Sequence, residues 1–100
     1  IDSIQEGVFI NDLQENMPNP FNSSTLIRYS VGSPSFVSLQ IYNALGQKVC
    51  TLVSEDKPTG QYQAVWSGQD DYGRGVSTGL YFYQLELESY RGAGKMILLR

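Results

Sequence analysis

The chain has 100 residues, a formal net charge of −3, no histidine and one cysteine, which suits one domain built around one core. Its seven basic residues are scattered, which excludes a phosphate-neutralising nucleic-acid surface and a polybasic anchor on anionic lipid. No apolar run approaches the ~20 residues of a transmembrane helix, so no membrane insertion is expected.

Residues 1–16 mix apolar and acidic side chains without a period. They read as a linker or edge segment from a preceding domain, with Val8, Ile10 and Leu13 able to make a short edge strand. Ile1 to Ile10 lacks the basic start and apolar centre of an export leader, so an exported chain of this kind would be part of a longer protein. Residues 17–100 are expected to form the folded domain. It begins irregularly at Met17-Pro18-Asn19-Pro20-Phe21-Asn22, because two prolines remove backbone donors and push the preceding residues into extended geometry.

A strand is predicted from Thr25 to Val31, with Ile27, Tyr29 and Val31 on one face. Gly32-Ser33-Pro34 turns the chain into Phe36 to Tyr42, where Val37, Leu39 and Ile41 alternate with polar partners. Asn43-Ala44-Leu45-Gly46 suits a short hairpin loop with a bulge and a left-handed glycine. Gln47 to Val53 returns antiparallel, and Ser54 to Gly60 is the next connection. Gln61 to Ser67 places Tyr62, Ala64 and Trp66 together, with Trp66 at the centre of the core.

Gly68 to Thr78 reads as a long polar loop. From Gly79, residues Tyr81, Tyr83, Leu85 and Leu87 face inward while Phe82, Gln84, Glu86 and Glu88 face out. Arg91-Gly92-Ala93-Gly94 is predicted to turn, and Lys95 to Leu99 to close the fold. The core is expected to gather Leu39, Ile41, Tyr62, Trp66, Tyr81 and Tyr83. This is an all-β pattern: an immunoglobulin-like antiparallel β-sandwich of six to seven strands, with a closed barrel as the alternative.

Few residues offer chemistry. Asp70-Asp71-Tyr72-Gly73 is acidic but lacks the terminal glutamate of an EF-hand, so Asp70 is read as shaping a turn, with a looser calcium loop as the alternative. Tyr42, Phe82, Tyr72 and Tyr90 could stack on sugars, but they lie in different elements. Cys50 reads as a small buried thiol, and Asn22-Ser23-Ser24 matches a glycosylation sequon. Without histidine no serine or cysteine has its usual base. No enzyme activity, catalytic residue, cofactor or resident metal is expected.

In order along the chain stand Asn19-Pro20-Phe21-Asn22, the strand of Thr25 to Tyr29, VSLQIYNALGQKVCTLV, GQYQAVWSGQDDYGRGVSTGLYFYQL and KMILLR. Together they resemble the type A C-terminal sorting domain of the type IX (Por) secretion system, from about Leu13 to Arg100. They also resemble a relative, the immunoglobulin-like domain of the flagellar hook-capping protein. The first resemblance implies a domain that follows a cargo domain and directs it through the type IX outer-membrane translocon. A sortase-like peptidase at the surface then removes the domain.

The protein would pass through the periplasm and finish at the cell surface or secreted. Gly79, Leu80 and Tyr81, and Lys95, Met96, Ile97, Leu98, Leu99 and Arg100, match that family's two C-terminal motifs. The second set is the expected recognition element, an edge strand offering unpaired backbone groups. Cleavage is expected between Ile1 and Asn16, and Asn19-Pro20-Phe21-Asn22 is expected to shape the start of the fold. The alternatives are a structural or assembly module of the hook-cap kind, or a carbohydrate- or calcium-binding sandwich.

Overall fold

The structure, a computed structural model, describes residues 9–100. Val8 and the rest of 1–8 lie outside the described residues. The strands are β1 (Asp12–Leu13), β2 (Thr25–Val31), β3 (Ser35–Asn43), β4 (Lys48–Lys57), β5 (Gly60–Trp66), β6 (Gly79–Leu87) and β7 (Tyr90–Leu98). They form two antiparallel sheets, ordered β1-β2-β5 and β4-β3-β6-β7. This is the expected immunoglobulin-like sandwich, and its two separate sheets exclude the closed barrel.

Alternation dictates which faces meet. Ile27 and Val31 on β2, Val37, Leu39 and Ile41 on β3, and Leu85 on β6 are fully buried between the sheets. Within β2 and β3 they stand two or four positions apart, an even spacing that puts them on one apolar face and leaves the other face wet. Trp66 sits among them as expected, 2% exposed. Its ring meets Phe21 at 5.6 Å and Tyr81 at 5.1 Å, both edge-on, and its Nε1–H donates to the Gln69 carbonyl at 2.9 Å.

Three expectations need correction. β4 continues through Ser54 to Lys57, pairing with Ser35 to Ser38, where a connection was predicted. That end lies on a sheet edge where Glu55 and Asp56 face solvent, so no apolar alternation announced it. The run Arg91 to Gly94 is strand, not turn. The reversal occurs at Glu88-Ser89, and Gly92 and Gly94 pair with Leu85 and Tyr83. Tyr62 is only half-buried: it stacks on Tyr29 at 5.5 Å beneath the Lys57 ammonium.

The Asn43 to Gln47 loop holds its expected shape. Gly46 has a φ of 82°, and the Asn43 side-chain oxygen accepts from the N–H groups of Leu45 and Gln47. A register shift between Ile41 and Tyr42 supplies the bulge.

Candidate functional site

The topology brings the two C-terminal motifs side by side. Gly79, Leu80 and Tyr81 lie directly opposite Leu98, Ile97 and Met96 across the β6–β7 ladder. Met96 and Leu98 point inward and are fully buried, whereas Ile97 (42%) and Leu99 (48%) are exposed. Leu80 and Phe82 are exposed on the same outer face, with Phe82 paired to Tyr42. The result is an apolar outer patch with Lys95 opposite Phe82 at its margin. Of the four aromatics considered for sugar stacking, only Tyr42 and Phe82 come together. Tyr72 stands in the 68–78 loop beside the Arg74 guanidinium, and Tyr90 packs against the core.

The backbone edge of this strand is not open where the sequence suggested. Ile97 accepts a hydrogen bond from the Phe21 N–H and donates to Asn19 Oδ1, both at 3.0 Å. The Leu99 N–H donates to the Phe21 carbonyl at 2.8 Å, and Asn19 Nδ2 donates to the Lys95 carbonyl at 3.2 Å. The segment Asn19-Pro20-Phe21 is thus a strap laid parallel along the Lys95 to Leu99 edge. It covers the outward groups of Ile97, the Leu99 N–H and the Lys95 carbonyl, which were expected to be unpaired. Phe21, 3% exposed, anchors the strap in the core beside Trp66. A lone aromatic directly after Pro18 and Pro20 was the available signal, since Phe is among the residues most often buried.

Arg100 holds the other side. Its N–H donates to Thr78 Oγ1 at 2.8 Å and its Nε to the Val76 carbonyl at 2.6 Å, while Nη2 donates to the Gly68 carbonyl. The last residue therefore latches both ends of the 68–78 loop. Within that loop, Asp70 Oδ1 accepts from the N–H groups of Tyr72 and Arg74, and Oδ2 faces Arg74 Nε at 3.2 Å. The Arg74 N–H, first among these contacts, holds the Asp70 carboxyl below its usual value. This is the turn-shaping role read from the sequence. Asp71 in turn covers part of the β4 edge: its N–H donates to the Val49 carbonyl and its Oδ1 accepts from the Thr51 N–H.

Beneath β7, Tyr83 crosses from one sheet to the N-terminal segment. It is 2% exposed, and its hydroxyl donates to the Gln14 carbonyl and accepts from the Asn16 N–H, both at 3.1 Å. Gly94 lies against its ring: a Cβ there would meet Tyr83 Cε1 at 2.7 Å and would overlap Cζ and the hydroxyl. The glycine is required by close approach, not by a turn.

Cys50 is buried, as expected. Burial, more than the nearby Asp71, pushes its thiol from 9.0 to about 11. The native thiol is therefore protonated near neutral pH and a poor nucleophile. Iodoacetamide is expected to leave Cys50 unmodified in the folded chain and to label it in denaturant, read by mass spectrometry. The raised value also means that this group's contribution to stability is intact below pH 9.0 and is lost as pH rises towards about 11.

Among solved structures, dimeric latent PorU from Porphyromonas gingivalis aligns over 90% of this chain and 9% of its own, with 22% identity and a TM-score of 0.72. PorZ from the same organism aligns over 86% of this chain and 11% of its own, with 17% identity and a TM-score of 0.60. The chain thus spans about a tenth of either structure, and the likeness is one of fold. No curated protein matches in sequence. The FlgD Ig-like domain family matches residues 23–92. That stretch runs from the turn before β2 into β7 and takes in both sheets, and the chain belongs to the FlgD Ig-like domain family.

Proposed function

We propose that this chain is a C-terminal sorting domain that addresses a preceding cargo domain to the type IX outer-membrane translocon. A sortase-like peptidase then cleaves it off, leaving the cargo at the surface or released. The domain is an address and performs no chemistry of its own. The observation that carries this reading is the treatment of Lys95 to Arg100. Strap, latch and the Gly79-Leu80-Tyr81 strand present Ile97 and Leu99 outward on a rigid support. PorZ, whose fold resembles this one, is described as an essential surface component of the type IX secretion system.

Cleavage belongs before Asn11. The Asn11 side-chain oxygen accepts from the Gly32 N–H at 2.7 Å, Asp12 and Leu13 pair with β2, and Asn16 is buried. A peptidase needs an accessible, extended backbone.

The test is a periplasm-targeted fluorescent protein fused ahead of the chain in a type IX-competent bacterium. Removing Lys95 to Arg100 would delete the buried Met96 and Leu98 and unfold the domain, so the informative variant is Ile97→Ser with Leu99→Ser. Circular dichroism checks that both versions fold. Surface delivery of the intact fusion, with retention of the variant, is expected. Periplasmic retention of the intact fusion would reject the sorting role, and surface delivery of both would reject recognition at this strand. The FlgD Ig-like match favours a second reading, a structural module within an assembled appendage, which predicts retention of both.

A further inference from the structure

The strap covers only half of the β7 edge. Ile97 directs its N–H and carbonyl outward to the strap. In an antiparallel ladder alternate residues point the same way, so Lys95, Ala93 and Arg91 also face outward. The Lys95 carbonyl is taken by Asn19. The Lys95 N–H and both backbone groups of Ala93 and Arg91 have no partner among the described residues. Ala93 and Lys95 face a cleft of about 310 Å³, with Leu13 to Asn16 on the opposite lip. The other sheet edge is protected differently, by Asp71 over Val49 and Thr51 and by the charged end of β4.

We infer that this open half of the edge, Arg91 to Lys95, binds an extended acidic segment of a partner protein by strand addition. A strand edge takes another strand because its unpaired N–H and C=O groups recur at the spacing only a strand reproduces. Charge selects which one. Lys95 is exposed on the outer face, and the ion pairs among the described residues leave it without a carboxylate, whereas Arg91 already has Glu86. An acidic side chain opposite Lys95 completes that face. Glu15 on the far lip disfavours a second acid turned inward. Charge also disfavours a second copy of the chain: symmetric pairing centred on Ala93 would set Arg91 against Lys95 of the other molecule.

The test uses the chain with a short synthetic peptide alternating Thr and Val around a central Glu, compared with the same peptide carrying Lys. NMR shifts and amide exchange are followed residue by residue. The Glu peptide is expected to slow exchange at Ala93 and Lys95 and to bind about tenfold tighter than the Lys peptide. Ala93→Pro removes an outward N–H without touching the β6 ladder, and should abolish binding. Lys95→Glu, at an exposed side chain, should reverse the preference between peptides. The inference is overturned if neither peptide protects these amides, if protection falls on β4 or β5 instead, or if the free chain dimerises through the same edge. None of these readouts involves secretion, so a failure here and a failure of the sorting role are separate results.

Discussion

Gly94→Ala is expected to destabilise the domain by about 3 kcal/mol or more, through overpacking and lost hydrogen bonds. The added methyl would lie 2.7 Å from Tyr83 Cε1 and nearer still to Cζ and the hydroxyl. Tyr83 cannot turn aside. Its ring is buried between β6 and the N-terminal segment, and its hydroxyl holds both Gln14 and Asn16. Either β7 lifts away from the core or those two hydrogen bonds break. Urea denaturation should show the loss as a lower midpoint with an unchanged slope.

Gly92→Ala is the internal control. Its Cβ would meet the Tyr90 hydroxyl at 2.8 Å, but Tyr90 is half-exposed and can move. A smaller loss is expected there, and equal losses would attribute both effects to strand propensity rather than to the Tyr83 contact. Adding Tyr83→Leu to Gly94→Ala should recover part of the stability, since the two positions share one contact.

Trp66→Ala should cost about 3–5 kcal/mol, the range for removing a large buried aromatic. The indole joins the two sheets: it belongs to β5, packs on Tyr81 of β6, and supports Phe21 of the strap. Its loss also leaves the Gln69 carbonyl without its donor. The effect should therefore reach β7. Phe21 supplies the backbone groups that hold Ile97 and Leu99, so amide exchange at Leu99 should quicken more than the global loss of stability explains. An unchanged melting temperature would refute this placement of Trp66, and a uniform rise in exchange would detach the strap from the tryptophan.

The same residues show how far sequence reading reaches. β2, β3 and β6 were legible because a period of two assigns every side chain to a face, and Ile27, Leu39, Tyr83 and Leu85 could face only inward. Gly79 to Tyr81 and Lys95 to Arg100 were singled out by resemblance alone, and nothing in the chain order stated that Gly79 to Tyr81 would lie opposite Met96 to Leu98. Gly92 and Gly94 misled for a physical reason: a glycine needed for close approach and one needed for a turn are the same residue in a sequence. Only the facing tyrosine tells them apart.

Alternation in this chain thus determined an all-β sandwich and its core, since burial of an apolar face is a local demand with one solution per strand. The tertiary structure decided that Asn19-Pro20-Phe21 covers one half of the β7 edge and leaves the other half without a partner among the described residues. Asn19 and Ile97 are 78 positions apart, and a hydrogen bond between them leaves no periodic trace in either segment. Whether a strand edge is open or covered depends on such non-local pairing.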